Sequence, residues 1–247
     1  AHRDAMRTTR PGMREYEVEA LVDFTFRRRG AAGPAYPSIV ASGPNATVLH
    51  HTSNDRTVGP DELLLLDAGA ERAGYCADVT RTFPTGARYT TAQRDCYEAV
   101  LAAQLAAIAA VRPGVTLEAI HATALRVLVE GLVGLRLVTG SVDEVIEKET
   151  YRRFYMHRTS HWLGRDVHDV GEYKRADAPR PLEPDMVFTV EPGLYIPPDA
   201  DDVPAAFRGV GIRIEDDLLV TAGGHEVLSA AAPKLVADVE ALRAEAR

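Results

Sequence analysis

Leu63-Leu64-Leu65-Leu66-Asp67-Ala68-Gly69, followed after a short link containing Gly74 by Asp78-Val79-Thr80-Arg81-Thr82-Phe83, is the stretch whose reading decides the fold. An unbroken apolar run that stops at an acid reads as a buried strand, and the second segment reads as its returning partner. Placing the centre of the hairpin between Arg72 and Ala73 makes Asp67 and Asp78 cross-strand partners. Side chains so paired share a face, with Cβ atoms roughly 4.5–5.5 Å apart. Two carboxylates at that distance repel unless a cation neutralises both or one carries a proton. The competing reading puts both in solvated turns, where aspartate is common. Against it, each abuts a strand, where an unpaired carboxylate is expensive.

Working outward, Arg14 to Arg29 carries Val18, Leu21, Val22 and Phe26 as a helical stripe that Gly30 stops. Pro34 and Pro37 mark a turn before a short strand at Ile39-Val40-Ala41, which ends at Ser42-Gly43. On the other side, Thr90 and Gln93 form a capping box for a helix reaching Val111. Thr116 caps a second helix running to Val133, and Val142 to Thr150 adds a turn or two. Strands return at Met186–Val190, Val210–Ile214 and Leu218–Thr221, and a helix is expected over Ala237–Ala246. Blocks of helix and strand without a βαβ cadence predict an α+β fold, with helices outside a mostly antiparallel sheet. Arg10-Pro11-Gly12 and Arg112-Pro113-Gly114 each precede a helix, which reads either as coincidence or as an internal repeat.

The 247 residues hold 28 Lys+Arg against 36 Asp+Glu, a formal charge of −8, and 46% are hydrophobic. That composition fits a globular chain and lacks the basic footprint of a nucleic-acid binder. The longest apolar stretch, Ala99 to Val111, interrupted by Gln104, falls short of the roughly 20 residues a membrane span requires, so no membrane association is expected. Cys76 and Cys96 read as two reduced thiols in a cytoplasmic protein. The start at Ala1 rather than Met is read as processing or truncation.

His157, His161 and His168 cluster within Met156–Asp169, in a segment whose Ser160 and Gly164 favour strand and loop. Glu191 stands where an apolar strand meets Pro192-Gly193, and alternation puts Arg213 and Glu215 on one strand face. His2, His121 and His225 are read as structural, and His51 merely neighbours His50. Two aspartates, two glutamates and a histidine cluster at the ends of buried strands point to a metal site. Four carboxylates exceed what one catalytic zinc takes and suit two divalent ions. Oxygen-rich ligation with one imidazole points to Mn²⁺, with Co²⁺ or Zn²⁺ as substitutes.

Leu66-Asp67-Ala68-Gly69, Ala77-Asp78-Val79-Thr80-Arg81-Thr82-Phe83, Ser160-His161-Trp162-Leu163-Gly164, Asp166-Val167-His168-Asp169-Val170-Gly171, Thr189-Val190-Glu191-Pro192-Gly193-Leu194-Tyr195 and Gly211-Ile212-Arg213-Ile214-Glu215-Asp216-Asp217 together resemble the catalytic domain of Xaa-Pro aminopeptidase (aminopeptidase P). The resemblance covers nearly the whole chain. It implies the pita-bread fold, a curved sheet whose halves are related by a pseudo-twofold axis, with residues 1–247 as one metallopeptidase catalytic domain. Relatives carry a further N-terminal domain, expected to be absent here, and a homo-oligomer stays among the open partner readings. The resemblance further implies that Asp78 and Glu215 bridge two metals, that Asp67 holds one and that His161 with Glu191 holds the other. A bridging hydroxide attacks the scissile carbonyl, and Glu191 handles the proton. His50 and His168 resemble the histidines that hold substrate and oxyanion, and His157, Arg213 and Tyr195 resemble residues around the substrate proline. The implied activity is release of the N-terminal residue from peptides with proline second. Prolidase, methionine aminopeptidase and a metal-free peptide-binding module of the same fold are the alternatives.

Overall fold

The computed structural model describes residues 1–245. The helices are α1 (His2–Thr8), α2 (Glu15–Arg28), α3 (Thr91–Ala110), α4 (Leu117–Gly134), α5 (Val142–Glu147) and α6 (Val236–Ala244). In the first half the strands are β1 (Gly33–Pro34), β2 (Ile39–Ser42), β3 (Leu63–Asp67), β4 (Ala70–Arg72), β5 (Tyr75–Cys76) and β6 (Thr80–Pro84). The second half contributes β7 (Lys174–Arg175), β8 (Ala178–Pro179), β9 (Val187–Val190), β10 (Gly193–Tyr195), β11 (Gly211–Arg213), β12 (Asp216–Thr221) and β13 (Gly224–Val227). The expected helices form close to their predicted limits; of the last one, Ala246 lies outside the described residues.

Two three-stranded antiparallel ladders carry the architecture: β2-β3-β6 in the first half and β13-β12-β9 in the second. The Arg-Pro-Gly repeat proves structural. Gly12 and Gly114 both take a left-handed φ, +92° and +86°. Each donates its N–H to the segment leading into the ladder of its half, to Val58 O at 2.9 Å and to Leu182 O at 2.8 Å. Two residues further, Arg14 bridges Thr57 and Thr116 bridges Pro181 before α2 and α4 begin. The same turn, bridge and helix start thus occur twice, as a duplicated half predicts.

Helix α3 ties the halves together. Its Val100, Leu101 and Ala103 join the core around Leu64, Leu66 and Phe83, while Ala107 and Ile108 join the one around Phe188, Val190 and Leu218. Helix α4 packs close on α3 because Gly131 has no Cβ; one added there would stand 2.7 Å from the Ala99 Cβ.

The hairpin register differs from the expected one by a single step. Arg72 pairs with Tyr75 and Glu71 with Cys76, so the centre falls between Ala73 and Gly74. Both turn residues are left-handed, φ +54° and +78°, the geometry of a two-residue type I′ connection. Asp67 therefore pairs with Thr80, and Asp78 lies on the irregular segment before β6. Gly69 makes this return tight: a Cβ there would sit on the Ala77 carbonyl oxygen. Asp67 and Asp78 still meet, through the fold of the segment rather than as cross-strand partners.

Candidate metal centre

Five acidic and imidazole side chains reach one place, four from strand ends and one from a loop. Asp67 closes β3, Asp78 precedes β6, Glu191 follows β9 and Glu215 lies between β11 and β12. His161 comes from the loop that Trp162 bridges to Phe188 on β9. Strand ends suit the task, because the ladder fixes the backbone while the last side chain points beyond the core. Ligand atoms of Asp78, His161 and Glu215 all lie within 4.8 Å of one another. His161 Nε2 stands 3.4 Å from both Asp78 Oδ2 and Glu191 Oε1. Its Nδ1 donates to the Trp162 carbonyl at 3.0 Å, which orients the ring and turns Nε2 toward the carboxylates.

Asp67 joins the group through Tyr36. The Tyr36 hydroxyl lies 2.6 Å from Asp67 Oδ1 and in equally close contact with Asp78 Oδ1. One hydroxyl proton cannot satisfy two carboxylates, so in the absence of a cation one carboxyl must supply a second proton. The electrostatics agree. Burial, and then the neighbouring Asp67 charge, pushes Asp78 above the usual carboxylate range, opposed by its His161 contact. Burial and then Asp78 hold Glu215 well above that range. Burial raises Glu191 to about 7, with His161 opposing. Burial works against a charged His161, but the Asp78 contact and the Glu191 charge outweigh it and hold the imidazole at about 9. Oxygen donors that cannot all ionise, grouped with one oriented imidazole, are the donor set that divalent cations satisfy. The residues fit divalent cations.

Arg213 is the one guanidinium inside the cluster. Its Nη2 donates to Asp67 at 2.5 Å, its Nε to the Thr80 hydroxyl at 3.1 Å and its Nη1 to the Tyr195 hydroxyl at 3.0 Å. Tyr195 in turn lies 2.9 Å from His157 Nε2, whose Nδ1 donates to the Arg158 carbonyl at 2.8 Å. Burial and then the Arg213 charge lower His157 to about 4, so its ring is neutral. The Thr80 hydroxyl donates to Glu215 Oε2 at 2.6 Å.

A cavity of about 570 Å³ opens over these groups. His50 and His168 line it as expected, with the His168 ring 4.3 Å from that of His161. Burial and then His161 lower His168. The residues that the sequence nominated thus converge, except that Tyr195 stands behind the wall, reaching it through Arg213 and His157.

Sequence reasoning missed Tyr36. It sits between Pro34 and Pro37, where the only visible signal was a turn. His121, read from the sequence as a structural residue on a helix, lines the cavity from α4. His51, one step from His50, anchors that loop instead, facing the fully buried Glu15 carboxylate at 3.1 Å.

Metallopeptidase family M24 matches residues 1–222. An Xaa-Pro aminopeptidase of Haemophilus influenzae is 49% identical over 241 residues, covering 98% of this chain and 56% of its own length. One of Escherichia coli is 47% identical over 247 residues, covering 100% of this chain and 56% of its own. The solved aminopeptidase PepP of Pseudomonas aeruginosa superposes with a TM-score of 0.97 at 50% identity, covering 98% of this chain and 55% of that one. The chain spans little more than half the length of these relatives.

Proposed function

The chain belongs to metallopeptidase family M24, and from that premise we propose that it is the catalytic domain of a metal-dependent exopeptidase that removes the N-terminal residue from peptides with proline second. The observation that carries the reading is the meeting of Asp67, Asp78, His161, Glu191 and Glu215 beneath one cavity, in a chain similar to Xaa-Pro aminopeptidases along its length. These five residues would hold two divalent cations, manganese by the hard oxygen donors that dominate the set. Such cations, when bound, lower the pKa of water and polarise a carbonyl.

The remaining work falls to this chain's own groups. Glu191, at the cavity floor beside His161, takes the proton of the attacking water. It returns that proton to the proline nitrogen as the carbon–nitrogen bond breaks. His50 and His168 line the cavity as hydrogen-bond donors for the substrate carbonyl and the oxyanion that replaces it. The chain from Arg213 through Tyr195 to His157 fixes the wall beside Glu191, whose Oε2 lies 3.8 Å from His157 Nδ1, and this wall receives the proline. Unpaired Cys76 and Cys96 suit a cytoplasmic protein, and no described helix is long and apolar enough to cross a membrane.

The decisive experiment compares an Xaa-Pro-Yaa tripeptide with an Xaa-Pro dipeptide. Expected are cleavage of the tripeptide to Xaa and Pro-Yaa, loss of activity on chelation and recovery with Mn²⁺. Turnover of the dipeptide alone would move the reading to prolidase, and turnover of Met-Ala-Yaa alone would move it to methionine aminopeptidase. A chelated protein that keeps its full rate would remove the metal from the mechanism.

A further inference from the structure

One wall of the cavity takes no part in the chemistry above. It consists of Leu117, Glu118 and His121 from the start of α4, Arg158 with Thr159, and Lys174 from the β7–β8 hairpin. His121 Nδ1 is 2.8 Å from the hydroxyl of the fully buried Thr159, which is 2.6 Å from the Tyr155 hydroxyl, so the ring is held in one orientation. Burial and then the Arg158 charge lower His121 to about 4, leaving a neutral imidazole on the wall.

Arg158 and Lys174 are exposed at the mouth, and neither has a carboxylate within 4.0 Å among the described residues, although Glu118 shares the wall. The other two lysines are both paired, Lys148 with Glu144 at 3.7 Å and Lys234 with Asp216 at 2.6 Å. Surface arginines such as Arg126, Arg153 and Arg175 are paired, whereas, among the described residues, others on the open surface, such as Arg88 and Arg165, are not. What sets Arg158 and Lys174 apart is their place, at the mouth of the cleft that holds the acidic cluster.

Their backbones are also fixed. The Arg158 carbonyl accepts from His157, and Lys174 follows Tyr173, whose hydroxyl accepts the Trp162 N–H at 3.2 Å and whose ring packs on Trp162 at 5.5 Å. The β7–β8 turn is pinned by left-handed Ala176 and Asp177, φ +48° and +64°.

We propose that Arg158 and Lys174, with His121 as a hydrogen-bonding neighbour, form a subsite for a carboxylate carried by the departing part of the peptide. This rests on the exopeptidase reading, which places His157 on the proline side, and Arg158 is the next residue in the chain. The carboxylate is either the C-terminus of a short peptide or an acidic side chain beyond the proline.

Two pairs of substrates separate these sources. Xaa-Pro-Gly against its C-terminal amide tests the terminus, and Xaa-Pro-Glu-amide against Xaa-Pro-Gln-amide tests the side chain. The Mn²⁺-loaded protein should favour the charged member of at least one pair by about 3- to 10-fold in kcat/KM, the scale of partly exposed charge pairs. Raising the salt to about 0.5 M should shrink that ratio, because exposed charges are screened. The double variant Arg158→Gln with Lys174→Gln should bring it to about 1, and Arg158→Glu should invert it. Inhibition by the product Pro-Gly, as acid against amide, should follow the same order without turnover. Equal kcat/KM within both pairs, or a preference that persists in the double variant, overturns the subsite while leaving the exopeptidase reading intact. Failure to cleave any proline peptide overturns both.

Discussion

At the residue scale, the centre is a set of groups that cannot all be charged together. Glu191 at about 7 and His161 at about 9 make the metal-free protein sensitive to pH in one direction. A glutamate raised from its ordinary 4.5 stays neutral in the folded chain at low pH, and its penalty grows as pH rises toward about 7. A histidine raised from 6.5 stabilises the fold below that value and loses its contribution as pH rises through about 9. Both act together, so these groups should lower the Tm of chelated protein as pH rises from about 5 to 9. Mn²⁺ should therefore raise Tm more at pH 8 than at pH 5.5, since bound cations replace those protons. Thermal scans with and without chelator read this directly, and an equal metal-induced shift at both pH values would show that the carboxyl groups are not protonated in the free site.

At the element scale, the hairpin from β3 to β6 brings the two aspartates together, and its tightest point is Gly69. An added Cβ would stand 1.6 Å from the Ala77 carbonyl oxygen, a backbone atom that cannot swing aside. Gly69→Ala should thus cost about 2–4 kcal/mol. It should also lower metal retention, because the segment carrying Asp78 has to move. Denaturant unfolding and metal analysis after dialysis test both parts; retention equal to that of the unaltered chain would mean that Asp78 is placed independently of this turn. The neighbouring element, the loop of His50, is secured separately. Glu15 accepts from Ser42 N at 2.6 Å and from Arg56 N at 3.1 Å and faces His51, so α2 holds that loop from beneath.

At the scale of the whole molecule, the two ladders meet over a buried ionic knot. Arg81 on β6 is fully buried and donates to the Glu215 carbonyl, to Asp216 Oδ1 at 2.7 Å and to the Ala232 carbonyl at 2.8 Å. Asp216 also receives Lys234 at 2.6 Å and Gln104 of α3 at 2.7 Å. The knot joins both halves, α3 and the segment before α6, and it fixes the backbone of Glu215. Removing Arg81 leaves Asp216 short of its main partner inside the protein, so Arg81→Leu should cost about 3–5 kcal/mol, measurable by denaturant titration. Asp216 is buried, but Arg81 and Lys234 outweigh that and hold it at about 2, below its usual 3.8. Its stabilisation is complete above the usual value and is lost as pH falls toward 2. Acid unfolding of the unaltered chain should steepen in that window, and in Arg81→Leu the steepening should fade.

Much of this was legible in the chain itself. The helix limits follow from local chemistry, such as the Thr90–Gln93 capping box, whose two hydrogen bonds form at 3.0 and 3.3 Å. The acids and His161 were legible as interruptions of apolar strands, where a charge is too costly to stand without a purpose. What the sequence could not fix was register and proximity. Whether the turn centres before or after Ala73 depends on how the ladder closes, and a single step exchanges which residues face each other. The meeting of Tyr36 with Asp67 and Asp78, the place of His121 on the cavity wall, and the contact of Arg81 with Asp216 join residues distant in sequence. No local propensity encodes such contacts, because each joins segments that meet only once strands, loops and helices have packed together. Residue types therefore determined that this protein holds a cluster of acids for cations, and tertiary packing alone decided which neighbours tune it.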